Sequence, residues 1–244
     1  MYKQTLQLLA LALFLLLTGC SGEENSEEPP VIPEGVTDPA QLTALAEQKQ
    51  RIGAFPEAIE ILNQALKIEP QFLPAHYRMG RVLEEWGHKE ESVQAYRRAL
   101  EIDPNHIESR LGLASTYAKQ FKNELAIIEY QKAARLKPED TEILFKIALE
   151  YWYLQKLPET VEYYRKVIAI NPDHLQAHLN LTSVYERLKQ WEPALKEIAI
   201  ARHLGKQTGN QQAIAIADNK LLFLKGRVNL SESDWTRKTS PPFE

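Results

Sequence analysis

From residue 39 to residue 206, apolar side chains alternate between two helical patterns that recur with a period of 34 residues. We number the positions of each unit 1–34, with units beginning at Pro39, Leu73, Ile107, Thr141 and Leu175. Positions 4, 7, 8 and 11 are spaced 3, 1 and 3 apart and define one face of a first helix. Positions 20, 24 and 27 define a second helix. Large residues stand at position 7 (Leu45, Met79, Leu113, Ile147, Leu181) and at position 24 (Leu62, Tyr96, Tyr130, Tyr164, Ile198). Small ones stand at position 8 (Ala46, Gly80, Ala114, Ala148, Thr182) and at position 20 (Ala58, Ser92, Ala126, Thr160, Ala194). Large side chains fill the space between helices, and small ones let two backbones approach. Between the helices, Gly53 and Gly87 occupy position 15, and Pro56, Pro158 and Pro193 fall where the second helix begins. Proline suits a helix's first turn because the amide it lacks would be unpaired there. Pro70, Pro104, Pro138 and Pro172 at position 32 then end each second helix. A fixed period of this length predicts a supersecondary unit stacked on copies of itself.

The pattern resembles the tetratricopeptide repeat (TPR), with large residues at positions 4, 7, 11 and 24, small ones at 8, 20 and 27, and proline at 32. The resemblance implies an all-α, right-handed α-solenoid of five helix hairpins: 39–72, 73–106, 107–140, 141–174 and 175–206. Repeat 1 departs at Lys49, where an aromatic is usual, and repeat 5 has Lys206 in place of the proline. Residues 211–225 read as one more amphipathic helix, through Ala213, Ile214, Ala217, Leu221 and Leu224, with Gly226 as a stop. Solenoids need their last apolar face covered, so 207–226 is expected to be a capping helix. The tail, 227–244, is expected to be poorly ordered, apart from a Trp235 able to fold back on the cap.

The first residues differ in kind. MYKQTLQLLALALFLLLTGC carries one positive charge, Lys3, and an apolar run from Leu8 to Leu17. That run falls short of the roughly 20 residues a spanning helix needs and has the flanks of a secretory signal, 1–19. Leu17, Thr18, Gly19 and Cys20 resemble the lipobox of bacterial lipoproteins, in which the cysteine is joined to lipid and becomes the mature amino terminus. Cys20 is the only cysteine in the chain, so it has no intramolecular disulfide partner. Residues 20–38 then read as a tether. Glu23, Glu24, Glu27, Glu28, Glu34 and Asp38 face no basic residue, and Pro29, Pro30 and Pro33 interrupt any helix. Ser21 lacks the aspartate that favours inner-membrane retention in Gram-negative lipoproteins. The resemblance therefore implies a lipid anchor in a bacterial membrane: the outer membrane facing the periplasm, or the outside of the single membrane in a Gram-positive host.

Composition excludes more than it assigns. The net charge of −4 and the pI near 5.9, without a basic run, give no footprint for nucleic acid. No glycine-rich phosphate loop is present, and one cysteine cannot build a thiolate metal site. His174 and His178 are spaced i, i+4 but lack an evident third ligand. No cofactor, metal or small-molecule substrate is expected, and the protein reads as non-enzymatic.

In TPR proteins the first helices line a concave groove through positions 2, 5, 9, 12 and 13. Here those positions supply Tyr77 and Arg81, with Glu84 and Glu85, in repeat 2, and Leu111 in repeat 3. Repeat 4 gives Phe145, Leu149, Trp152 and Tyr153, and repeat 5 gives Leu179, Glu186 and Arg187. The middle of the groove is thus expected to be apolar and aromatic, as partner sites are; the alternative is that Phe145 and Trp152 pack between helices. Arg81 and Asn180 alone do not reproduce the carboxylate clamp of some TPR domains. The expectation is an adaptor that binds an envelope protein or peptide during assembly of a cell-envelope complex. Pilotins that help assemble pilus secretins are among the lipid-anchored TPR proteins it resembles.

Overall fold

The computed structural model describes residues 36–241. The signal sequence, the lipobox residues Leu17, Thr18, Gly19 and Cys20, and the tether up to residue 35 lie outside the described residues.

Twelve helices, and no strand, make up the described residues. They pair into five hairpins: α1 (Pro39–Arg51) with α2 (Phe55–Ile68), α3 (Leu73–Trp86) with α4 (Lys89–Ile102), and α5 (Ile107–Lys119) with α6 (Asn123–Leu136). The series continues with α7 (Thr141–Tyr153) and α8 (Leu157–Ile170), then α9 (Leu175–Arg187) and α10 (Trp191–Thr208). Two more helices follow, α11 (Gln211–Lys225) and α12 (Glu232–Thr239). From α1 to α11 each helix packs on the next, α3 also meets α1 and α5, and α12 packs on α10, which makes the stack an α-solenoid.

The repeating core follows from the repeating sequence. Ala65, Ala99, Ala133, Val167 and Ala201, all at position 27, are fully buried, as are the position-20 residues from Ala58 to Ala194. Tyr96, Tyr130 and Tyr164 at position 24 insert between hairpins. Tyr96 needs two glycines to fit: a Cβ on Gly80 would lie 2.6 Å from its ring, and one on Gly112 would lie 2.3 Å away. The residues before the four prolines, Glu69, Asp103, Lys137 and Asn171, are extended, with φ between −126° and −132°. Proline crowds the residue before it out of the helical region, so each second helix ends there. Where Lys206 replaces the proline, α10 runs on to 18 residues and stops only at Gly209, φ 68°.

Position 15 behaves differently from its sequence. Gly53 and Gly87 have φ of 77° and 97°, as their residue type predicts, but Phe121, Gln155 and Lys189 take the same left-handed conformation at 56–59°. The hairpin geometry imposes it on every repeat, whatever residue is there.

A helix follows the fifth hairpin. Ala213, Ala217, Leu221 and Leu224 of α11 are buried against α10. The tail is a correction: it contains α12, whose N-cap Ser231 accepts a hydrogen bond from the Asp234 amide at 3.1 Å. Val228, Leu230 and Trp235 pack against the last core cluster, which gives the segment an apolar anchor that its polar composition conceals. Among the described residues, no helix is long and apolar enough to cross a membrane.

Candidate functional site: the concave groove

The first helices α3, α5, α7 and α9 place the expected groove residues in two distinct settings. At the N-terminal end, Glu84 is the organising side chain. Its carboxylate accepts hydrogen bonds from Tyr96 Oη (2.9 Å), Ser115 Oγ (2.9 Å) and Lys119 Nζ (2.8 Å). Three donors on one carboxylate make a closed network. Burial and the neighbouring Glu84 charge hold the Tyr96 phenol protonated, far above its ordinary range. Beside it, Gln50 donates to Glu85 at 2.6 Å and Arg78 pairs with Glu47 at 2.6 Å. Tyr77 is half-buried against Tyr96 and His106, Leu111 is half-buried in the same cluster, and Arg81 is exposed.

The C-terminal end is apolar with fewer internal bonds. Phe145 does not offer a free ring: it lies 5.4 Å from Tyr164 and 5.1 Å from His174. Leu149 and Trp152 also pack partly on the core cluster, and Leu179, at 7% exposure, belongs to it. Packing therefore takes most of Phe145 and Leu179, and part of Leu149 and Trp152. What remains open is a local surface. Tyr153 is 65% exposed. Arg187 stands 5.2 Å over the Trp152 ring, with no carboxylate at ion-pair distance among the described residues. Glu186 is held by Lys220 through Oε2 at 2.5 Å, while its Oε1 is buried without a hydrogen-bond partner. Next to these, a cavity of about 350 Å³ opens between α9 and α11, floored by Leu175, Leu179 and Ile216 and edged by Ser183 and Lys220. Tyr164 beneath it is pushed up to about 12 by burial, opposed by the amide of Asn180, which donates to its oxygen at 2.9 Å.

The two histidines have structural tasks. His174 caps α9 by accepting from the Ala177 amide at 3.2 Å. His178 is buried, with Nδ1 on Glu197 at 2.6 Å and Nε2 on the Pro172 carbonyl at 2.9 Å. Both ring nitrogens of His178 are committed, and no group of three metal-ligating side chains occurs among the described residues. Sequence reasoning missed Glu186 as an unsatisfied acceptor, because the deficit depends on what the next helix presents to it.

A stack of antiparallel helix pairs with an open, partly aromatic concave face is a scaffold suited to protein binding. In particular, residues 73–106, 107–140 and 141–174 each match the tetratricopeptide repeat, and the chain carries these repeats within an α-solenoid of TPR hairpins. None of the curated proteins matches the chain in sequence. Among solved structures, a crystal structure of MamA is 20% identical over 68% of this chain and 97% of its own, with a TM-score of 0.64. A MamA fragment, from residue 41 to the end, of Desulfovibrio magneticus RS-1 is 19% identical over 69% and 96%, with a TM-score of 0.63. YrrB, described as a TPR protein with an unusual peptide-binding site, is 20% identical over 77% and 93%, also with a TM-score of 0.63. At these identities the likeness is one of fold.

Proposed function

We propose that this chain is a lipid-anchored, non-enzymatic TPR adaptor that holds an extended segment of an envelope protein in the C-terminal part of its concave groove. The observation that carries the groove reading is the open surface formed by Tyr153, Trp152 and Arg187. An exposed tyrosine, a half-buried tryptophan and an unpaired arginine are the residue types that dominate binding energy at protein interfaces. The peptide-binding site of YrrB, a protein of the same fold, supports the same use of the scaffold. Leu17-Thr18-Gly19-Cys20 supports the anchor, and the acidic tether, repelled by an anionic lipid surface, suits a module that works at a distance from its membrane. Outer-membrane placement facing the periplasm, and a part in assembling an envelope complex, complete the reading.

Two experiments test it. Cys20→Ser is expected to abolish incorporation of radiolabelled fatty acid; undiminished label removes the anchor. A photocrosslinking amino acid at position 153 of the full chain is expected to trap a partner in the native envelope that Trp152→Ala loses. A trapped protein unaffected by that change, or none at all, removes the groove reading.

A further inference from the structure

The convex face of the solenoid carries a second feature, set apart in repeat 3 by three positions. Position 19 is Glu57, Glu91, Glu159 and Pro193 in the other repeats but Leu125 here. Position 22 is Glu60, Gln94, Glu162 and Lys196 elsewhere but Ile128 here. Position 15 is Phe121, whose ring is 89% exposed although its backbone sits at φ 59°, a conformation poorly suited to an aromatic residue. Leu125 and Ile128 are 42% and 46% exposed, and they lie in line with Leu136, 40% exposed at a position where Ile68, Ile102 and Ile170 are exposed in other repeats too. These residues follow one stripe along the outside of α6 at i, i+4, i+7 and i+15. The other repeats serve as internal controls: the same hairpin is built with polar residues at positions 19 and 22, so the fold does not require this stripe.

What covers it is indicated by charge. The helices on either side, α4 and α8, flank repeat 3 through Glu90 to Gln120 in the α5–α6 turn (3.1 Å), Glu124 of α6 to the α8 N-cap residue Lys156 (3.6 Å) and Gln131 of α6 to Tyr163 of α8 (3.1 Å). Along the two flanking helices the charge reverses between two levels, and α6 carries a cation at the second level. Position 19 gives Glu91 and Glu159 beside Leu125, and position 26 gives Arg98, Lys132 and Lys166. Among the described residues these cations form ion pairs only on their own helices, with Glu101, Glu129 and Glu162, at 2.6–2.7 Å. Glu91 lies 3.5 Å from His88.

We infer that the convex face of repeat 3 is a homodimer interface, in which α6 packs antiparallel on α6 of a second copy. Reversal of one copy lays the position-19 carboxylates of each over the position-26 cations of the other. It also brings Phe121 of each copy to Leu136 of its mate, with the two Ile128 side chains beside the two-fold axis. A parallel pairing would set Glu91 against Glu159 and Arg98 against Lys166, like against like, which favours the antiparallel arrangement. An anionic lipid surface fits less well, because carboxylates flank the apolar stripe on both sides.

The full chain in detergent, followed by light scattering against concentration, tests this. The wild type is expected to dimerise, and Leu125→Glu to weaken dimerisation at least about tenfold, since it places a charge at an interface centre. Phe121→Gly removes the ring and relieves the backbone, so it is expected to lose dimer while melting no lower than wild type. Ile128→Cys should form an oxidative crosslink of twice the chain mass, well above both the wild type, which has only Cys20, and the distant convex variant Glu60→Cys. A wild-type chain that stays monomeric, a Leu125→Glu dimer of unchanged strength, or an Ile128→Cys crosslink to a different protein would each overturn the proposal. Because every variant lies on the convex face, its outcome is independent of whether the groove binds a peptide.

Discussion

Glu84 and Glu186 occupy the same repeat position, are similarly shielded, with side chains 13% and 19% exposed, and do opposite things. Glu84 is a strut. The tyrosine at position 24 of its own repeat and positions 9 and 13 of the next, Ser115 and Lys119, supply three donors. Glu186 has Ile198 at position 24, which has no donor, and its neighbouring helix offers only Lys220. One oxygen is left over. Around Glu84 both carboxylate oxygens are used within the stack, whereas Glu186 keeps one free acceptor near an exposed Tyr153 and an Arg187 that rests only on the Trp152 ring. A groove position becomes structural or receptive according to its neighbours in the stack.

The strongest challenge to that contrast is Trp152→Ala. If the C-terminal half is the receptive one, partner binding should fall by about 2 kcal/mol or more, as for an aromatic hot spot. Because Trp152 is only partly packed, its melt should drop by less than the roughly 3–5 kcal/mol typical of truncating a fully buried aromatic. Thermal melts and crosslink yields on the same samples separate the two. A melt lowered by the full amount with unchanged crosslinking would return Trp152 to the core.

Overpacking the closed half should destabilise without that loss of binding. Gly112→Ala drives a methyl into the Tyr96 ring, and Ala133→Leu forces bulk into a site with no exposure, each costing about 1–3 kcal/mol by calorimetry. Binding measured below the melt should survive Gly112→Ala. Its loss would show that the N-terminal half also contacts the partner. A smaller effect is expected of Glu84→Gln, which weakens charge-assisted bonds to Lys119 and Ser115 and should cost on the order of 1 kcal/mol by denaturant titration. An unchanged midpoint would mean that the network is not structural.

The smallest test concerns Glu150, on the helix where the halves meet. Burial raises its carboxyl above the ordinary range, although Asn123 donates to it at 2.7 Å and partly offsets this. A raised carboxyl disfavours the folded state once ionised and contributes nothing below the unfolded pKa, where both states are protonated. Glu150→Gln is therefore expected to stabilise at neutral pH and to lose that advantage below the ordinary carboxylate range. A gain independent of pH would point to a different cause.

The 34-residue period determined the helices, their order and most of the core from the sequence alone. Position 27 had to be small and position 32 had to stop a helix, because each rule acts within one hairpin or between adjacent ones and is repeated often enough to be read. The register also placed Phe145, Leu149, Trp152 and Tyr153 on one helix, α7. How much of each is free was not legible. Phe145 turns onto Tyr164 and His174, and Leu179 sinks into the core, because exposure depends on how far neighbouring helices overlap and not on position within a repeat. The same holds for the left-handed backbone at Phe121, imposed by hairpin geometry on a residue that does not favour it. It holds too for α12, whose eight residues are too few and too polar to announce a helix until Trp235 finds the solenoid's last core cluster. Local periodicity therefore determined where the chain is helical. Only the stacking of one hairpin on the next decided which side chains were left without a partner.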